Sequence, residues 1–229
     1  MPKTVLAIGA HYDDCVFGIP GILLQAVRKH HRVVILTLID DYSNFPPVKD
    51  RWKEMPGLAA RLAKEHGVES RFLNFKSHHF DVNLETKRAV SQAVADIGPD
   101  IAFHLWRSDR HNDHQVASQL SEIALRNAHA VLDRSPIKLP REIYAYDNGP
   151  RHTIGFEPDT FVDTSAEWKQ SIDWLGKLMA MVRNEPYDPA KHDASQQTKE
   201  AIAAYRGKTC GVAYAEALAT MNYTPRDIL

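Results

Sequence analysis

The 229-residue sequence predicts an α/β fold in which a mostly parallel, Rossmann-like sheet is covered by helices on both faces. Short apolar runs rich in Val, Ile, Leu and Phe recur along the first half of the chain, as in strands buried on both sides. Between them lie segments with apolar residues three and four positions apart, as in amphipathic helices. This alternation is typical of a three-layer α/β/α arrangement. We expect residues 1–229 to form a single domain.

The strands are predicted from apolar runs that end at polar or turn-forming residues. The first four are expected at residues 4–8, 33–38, 71–75 and 101–106, and two more at 142–146 and 160–162. The loop 39–51 follows the second strand, so we expect it to lie over the carboxyl edge of the sheet, where loops shape ligand pockets.

Helices are predicted where apolar residues repeat at helical spacing between the strands. They are expected at residues 22–29, 58–65, 84–97 and 115–132. Gly67 and Gly98 follow the second and third of these helices as C-terminal stop signals.

The last third of the chain is less regular. Thr164 and Glu167 have capping-box spacing and predict a helix that continues to residue 182. Residues 183–198 contain two prolines and many polar residues, so we expect a surface segment before a last helix near 198–206. We assign Tyr214 and Glu216 structural roles.

Charge and composition exclude several classes of protein. The 28 basic and 29 acidic residues nearly balance and are scattered, so nucleic-acid binding has no electrostatic support. The N-terminus lacks the apolar core of a signal peptide, and no stretch approaches the ~18 apolar residues of a membrane span, so we expect a cytoplasmic protein. Cys15 and Cys210 are too few for a disulfide framework or a zinc knuckle.

The first motif, His11-Tyr12-Asp13-Asp14, comes directly after the first predicted strand. Open parallel sheets bind ligands at this edge. A dinucleotide fingerprint would need glycines where His11 and Asp14 stand, and the carboxylate would repel pyrophosphate. The motif is therefore not a phosphate-binding loop.

The second motif, His111-Asn112-Asp113-His114, follows the fourth predicted strand and should reach the same edge. His11 and Asp14 are three positions apart, so both side chains can face one point, with His114 as a third ligand. Two imidazoles and one carboxylate suit Zn²⁺ or Fe²⁺. Asp13 is then free to act as a general base, and His111, one turn before His114, can protonate a leaving group.

The remaining histidines lack such spacing. His104 lies in a strand and is predicted to be in the core, and we assign the others surface or structural roles: His30, His31, His66, His78, His79, His129, His152 and His192.

Nucleophilic catalysis has little support. A Ser-His-Asp hydrolase would carry a G-x-S-x-G elbow, which the sequence lacks. Cys15 follows two aspartates, which would raise the pKa of its thiol, so we expect a packed thiol rather than a nucleophile.

The two motifs resemble those of the PIG-L/LmbE-like de-N-acetylase family, which read A-H-P-D-D-E and H-x-D-H. Here they stand as residues 10–15 and 111–114, and residues 109–110 and 211–217 also look like family sequence. The resemblance implies hydrolysis of an amide, commonly the N-acetyl group of a glucosamine-containing conjugate.

The resemblance also implies site roles. It makes His11, Asp14 and His114 the metal ligands, Asp13 the general base and His111 the general acid. The same resemblance has Asp113 orient the imidazole of His111.

The sequence departs from the family pattern at three places. Tyr12 replaces the usual proline, and Cys15 replaces a glutamate, but neither change removes a ligand or the base. The family's substrate-binding arginine stands in an R-x-x-E pattern. Arg51 begins a pattern with this spacing, but several residues earlier in the chain than in the family. We take Arg51 and Arg110, beside the second motif, as candidates for substrate binding.

The sequence thus predicts a zinc-dependent or iron-dependent hydrolase that acts on a small amino-sugar conjugate, and it allows homo-oligomerisation. A mononuclear Fe(II) oxygenase also uses two histidines and a carboxylate, although it leaves Asp13 and His111 without roles. A non-catalytic sugar-binding module with a vestigial metal site is the third hypothesis, motivated by Cys15 and the poorly matched arginine.

Overall fold

A computed structural model of the chain describes residues 1–221. Within that range the strands form one seven-stranded sheet in the order β3-β2-β1-β4-β5-β7-β6. The strands are Thr4–Gly9 (β1), Arg32–Asp41 (β2), Glu69–Lys76 (β3), Ile101–Leu105 (β4), Glu142–Tyr146 (β5), Thr160–Asp163 (β6) and Ala215–Thr220 (β7). β7 runs antiparallel to both of its neighbours, and the first five strands pair in parallel.

Helices cover both faces of this sheet, which confirms the predicted three-layer fold. They are Asp14–Gly18 (α1), Pro20–Arg28 (α2), Met55–Glu65 (α3), Leu84–Ile97 (α4), Asn112–Val131 (α5), Trp168–Arg183 (α6) and Ala194–Cys210 (α7), with a 3₁₀ turn at Trp52–Glu54. Among residues 1–221, no helix combines the length and apolar character needed to cross a bilayer.

Two elements were not predicted, for physical reasons. α1 has only five residues, too few to show a helical period. β7 is rich in alanine, which has little strand propensity, so its conformation depends on hydrogen bonding between β5 and β6.

The helix starts in the last third were also misplaced. The expected Thr164 capping box does not form; α6 begins after Glu167, whose carboxylate instead pairs with Arg28 at 2.5 Å. α7 begins at residue 194, four residues before the predicted start, because Asp193 and Gln196 form a capping box. The surface segment before it is correspondingly shorter.

The strand order places the two motifs next to each other. β1 and β4 are neighbours, and the chain order reverses between them, since β2 and β3 lie on one side and β5 on the other. Ligands bind at such a switch point, beyond the carboxyl ends of the strands. His11 follows β1 and His111 follows β4, so both motifs open onto this crevice.

A buried ion pair ties β7 and α7 to the two short helices that follow the first motif. Lys199 Nζ lies 3.0 Å from Glu216 Oε1, and both side chains are buried. The Glu216 carboxylate accepts the backbone N–H groups of Gly21 and Ile22, and Lys199 donates to the carbonyl of Gly18. The carboxylate thus satisfies free N–H groups in the first turn of α2. Glu216 therefore has the structural role that the sequence predicts.

Candidate metal centre

The first motif turns sharply at the end of β1. Gly9 is the last residue of β1, and a side chain would not fit there, because its Cβ would lie 2.9 Å from the Cβ of Asp14. The backbone N–H of His11 donates to Asp14 Oδ2 at 2.8 Å, which closes the turn. This turn brings the imidazole and the carboxylate to the same point above the sheet.

Three side chains converge on that point. His11 Nδ1 lies 3.2 Å from His114 Nε2 and 3.6 Å from Asp14 Oδ2, and His114 Nε2 lies 3.2 Å from Asp14 Oδ1. A tetrahedral zinc ion with bonds of about 2.0–2.2 Å holds its ligand atoms roughly 3.3–3.5 Å apart. The spacing and donor types therefore fit a zinc-type cation, and these are the three ligands that the sequence predicts.

The outward nitrogens of both imidazoles face carboxylates. His11 Nε2 lies 3.2 Å from Asp113 Oδ2, and His114 Nδ1 lies 3.1 Å from Asp109 Oδ2. A carboxylate in this position holds the proton on the outward nitrogen and leaves the inward nitrogen as a lone pair. This contact favours the imidazole tautomers that metal binding requires.

The cluster has a strong preference for positive charge at its centre. Burial lowers the pKa of His11, but Asp14 and Asp113 outweigh burial and raise it to about 9. Burial likewise opposes the charged form of His114, yet Asp14 and Asp109 raise its pKa to about 10. Asp14 is buried, yet the two imidazoles hold the pKa of its carboxyl well below the usual range. Protons and a metal cation therefore compete for one site.

Asp13 lines the cavity beside this cluster but is not one of the grouped ligand side chains in residues 1–221. Burial raises the pKa of its carboxyl, and the neighbouring charge of Asp14 raises it further. A carboxylate that binds no cation and has a raised pKa is suited to accept a proton.

His111 lies above the cluster, with its ring centroid 4.8 Å from that of His114. Its Nδ1 accepts the backbone N–H of Asp113 at 3.2 Å, so the neutral ring carries its proton on Nε2. Burial lowers the pKa of His111 to about 4, and the positive charges of His11 and His114 act in the same direction.

The Asp113 carboxylate makes a different contact from the expected one. It lies against the ring of His11, and it also accepts the Ser77 hydroxyl at 2.8 Å and the His78 backbone N–H at 2.9 Å. Only the backbone of Asp113 bonds His111. Despite burial, hydrogen bonds from these groups lower the pKa of Asp113 to about 2.

The cluster forms the floor of a cavity of about 630 Å³. Its walls come from the segments that follow β1, β2, β3, β4 and β5 and from α6 and α7. Tyr42 and Phe45 line it, so the loop after β2 reaches the site as predicted. The apolar part of the wall includes Phe17, Leu175, Met179 and Val182.

A turn at residues 148–153 contributes side chains that sequence reasoning missed. Asn148, Arg151 and His152 all line the cavity. The His152 ring centroid is 5.1 Å from that of His114, and His78 lies across the cavity, stacked on His111 at 4.9 Å. His78 and His152, for which the sequence suggests surface or structural roles, are partly exposed side chains that face this cavity. Asn148-Gly149-Pro150 is a turn signal that could have drawn attention to this segment.

Neither predicted substrate-binding arginine lines the cavity. The Arg51 guanidinium donates to the backbone carbonyls of Met181 and Val182, at 2.5 and 2.8 Å, and so fastens the end of α6. Arg110 is exposed outside the cavity. The arginine in the cavity wall is Arg151, which has no hydrogen bond or ion pair within residues 1–221.

The two departures from the family motif are both buried. Cys15 Sγ lies 3.3 Å from Tyr146 Oη, and burial raises the pKa of its thiol, so it is the packed thiol that the sequence predicts. Tyr12 packs against Tyr42 with ring centroids 4.7 Å apart. His104 lies in the core, as expected, and burial lowers its pKa to about 4.

Comparison with known proteins gives a family and several similar chains. Residues 6–125, just over half of the chain, match the family model for PIG-L, GlcNAc-PI de-N-acetylase. The uncharacterized deacetylase YaiS of Escherichia coli (strain K12) is 23% identical over 174 residues, which cover 72% of this chain and 84% of that protein.

Two solved structures share the fold. GalB, the 4-carboxy-2-hydroxymuconate hydratase of Pseudomonas putida KT2440, is 18% identical, with a TM-score of 0.80 and 99% of each chain covered. The N,N'-diacetylchitobiose deacetylase of Pyrococcus horikoshii is 19% identical, with a TM-score of 0.73, covering 97% of this chain and 87% of that one. At these identities the likeness establishes the fold alone.

Proposed function

Because the chain belongs to the PIG-L (GlcNAc-PI de-N-acetylase) family, we propose that it is a metal-dependent N-deacetylase acting on a small amino-sugar conjugate. The observation that carries the proposal is the convergence of His11, Asp14 and His114, with both outward imidazole nitrogens against carboxylates. Zinc is the cation that we favour, and the same donors also suit Fe²⁺. When bound, such an ion lowers the pKa of water and polarises a carbonyl.

The side chains around the cluster supply the proton transfers of amide hydrolysis. Asp13 accepts a proton from the water that adds to the amide carbon. His111 then donates its Nε2 proton to the amide nitrogen as the carbon–nitrogen bond breaks. The products are acetate and a free amine. The low pKa of His111 makes its neutral form the resting state. To act as the acid, the ring first takes up the proton that Asp13 removes from water, and it returns to the neutral form when it protonates the amine.

The cavity wall indicates how the rest of the substrate is held. Phe45, which is 40% exposed, offers an aromatic face for a sugar ring or an apolar group, and the buried Tyr42 ring forms part of the wall beside it. Arg151 is the guanidinium that we assign to substrate binding, in place of Arg51 and Arg110, because it lines the cavity and has no partner among the described residues. Such a guanidinium suits a carboxylate or phosphate on the conjugate.

A hydratase is the second candidate function. The similar GalB structure is named as a hydratase, and His152 gives this cavity another imidazole beside His111. Adding water across a carbon–carbon double bond requires protonation of carbon, and a protonated imidazole can supply that proton. Arg151 would hold the carboxylate of a substrate of that kind.

The Asp13→Asn variant tests the proposal. We expect it to keep the metal ion but to lose acetate release from N-acetylglucosamine conjugates by at least about 100-fold, as for removal of a general base. Unchanged acetate release would contradict the assigned role. A wild-type enzyme that consumes a conjugated diene acid and releases no acetate would favour the hydratase. Ligand binding without turnover of either substrate would favour the binding module.

Two expectations about the cell biology stay predictions. We infer a cytoplasmic enzyme with a small-molecule partner, and the sequence allows homo-oligomerisation.

A further inference from the structure

The side chain of Asn148 bonds directly to a predicted metal ligand. Its Nδ2 donates to Asp14 Oδ1 at 2.6 Å, and the residue is only 7% exposed. An ionised carboxylate only accepts hydrogen bonds, so the NH₂ group, and not the amide oxygen, must face it. The orientation of the Asn148 amide is therefore fixed by chemistry.

This bond completes the support of the Asp14 carboxylate. Oδ2 accepts the backbone N–H of His11, and Oδ1 accepts Asn148, so each oxygen has one N–H donor. One donor on each oxygen sets the plane of the carboxylate and prevents it from rotating. Each oxygen keeps a lone pair that is free for a cation.

The turn that carries Asn148 is itself firmly held. The Asn148 backbone N–H donates to Thr153 Oγ1 at 2.8 Å, and Thr153 pairs with Asp109, two residues before the second motif. The N–H groups of His152 and Thr153 both bond the carbonyl of Gly149. Gly149 has a φ of 87°, a conformation that glycine tolerates. These backbone hydrogen bonds thus fix the position of the Asn148 side chain.

The other end of the amide suggests a functional role for this residue rather than a stabilising one. Asn148 Oδ1 is buried and has no hydrogen-bond partner among residues 1–221. An unpaired buried oxygen costs stability, so an apolar side chain here would avoid a penalty. The benefit that offsets this cost is the bond to Asp14.

We propose that Asn148 is a positioning residue for the metal ligand Asp14 and that it sets the affinity of the site for its cation. The inference rests on the proposed metal site, but not on any particular substrate or reaction. Supporting groups of this kind typically change metal affinity by roughly 10- to 100-fold.

The test measures zinc affinity of the metal-free full-length protein by competition with a chromophoric chelator. We expect Asn148→Ala to bind zinc roughly 10- to 100-fold more weakly than the wild type. Asn148→Gln keeps an amide N–H donor and should recover part of that loss. The matched control is Asn44→Ala, since Asn44 also lines the cavity but its amide donates to the backbone carbonyl of Ser77. Its zinc affinity should stay within about threefold of wild type.

Thermal unfolding separates this role from a structural one. The metal-free Asn148→Ala protein should unfold close to the wild-type temperature, while added zinc raises that temperature less than in the wild type. Equal zinc affinity in both proteins would overturn the proposal, as would an equal loss of stability with and without zinc. Because no substrate enters this assay, failure of the deacetylase assignment leaves its result intact.

Discussion

Replacing Asp113 by asparagine should damage the metal site through the tautomer of His11. The Asp113 carboxylate faces His11 Nε2 at 3.2 Å, and His11 Nδ1 faces the other two ligands. An asparagine NH₂ group in the same place would donate to Nε2 and move the ring proton to Nδ1. That proton would occupy the position of the lone pair that binds the cation.

The expected effect follows from the contacts that survive. Asparagine keeps one oxygen, which can still accept the Ser77 hydroxyl or the His78 backbone N–H, so the fold should be little affected. Removing both oxygens, as in Asp113→Ala, would leave two donors without an acceptor, at about 1–3 kcal/mol each. For Asp113→Asn we expect zinc affinity to fall roughly 10- to 100-fold. This loss corresponds to about 1.4–2.7 kcal/mol.

Chelator competition measures the zinc affinity, and urea unfolding of the metal-free protein measures the fold. Asp159→Asn is the matched control, because Asp159 accepts hydrogen bonds from Thr160 and Thr220 at the end of the sheet away from the cavity. If Asp113→Asn binds zinc as tightly as the wild type yet loses turnover, the reasoning is refuted. The carboxylate would then act on His111, as the family resemblance implies.

Three further perturbations test other parts of the site. Gly9→Ala should destabilise the protein by about 1–3 kcal/mol, since its Cβ would lie 2.9 Å from another side-chain carbon; an unchanged urea midpoint would contradict this packing. Arg151→Ala should weaken binding of N-acetylglucosamine 6-phosphate roughly 10- to 100-fold in calorimetry. Arg110→Ala should leave this affinity unchanged, and equal losses of affinity in the two variants would argue against the assignment of Arg151 to substrate binding. Zinc binding at pH 7 should release close to two protons, because the raised pKa values of about 9 for His11 and about 10 for His114 keep both charged without metal. Zinc affinity should therefore rise with pH up to about pH 10. The charged imidazoles also stabilise the metal-free protein, and this contribution is complete below about pH 6.5 and is lost over the same rise in pH. If calorimetry in two buffers detects no proton release on zinc binding, the imidazoles are neutral without metal.

The grouping of the three candidate metal ligands could be predicted because part of its signal is local. His11 and Asp14 lie in one turn directly after a strand, and His114 follows a strand that the parallel alternation brings to the same edge. One of the three distances that matter, between His11 and Asp14, is thus set within a few residues. The two distances to His114 depend on β1 and β4 being neighbours, which strand order alone decides.

The residues that were missed depend on distant parts of the chain. Asn148 and His152 reach the site because a turn after β5 pairs with Asp109, just before the second motif, and nothing within residues 148–153 records that pairing. Asp113 is equally compatible in sequence with a contact to His111 or to His11. Only the packing of α5 against β1 selects His11.

The buried pair of Lys199 and Glu216 has a consequence for the order of assembly during translation. Residues 6–125, which carry the family match and all three candidate metal ligands, leave the ribosome before the later residues of the described chain. The N–H groups at the start of α2 and the carbonyl of Gly18 find their partners only when residues 199 and 216 have been made. The newly made first half therefore holds every candidate ligand but lacks the contacts that fix its neighbouring helix until β7 has been made.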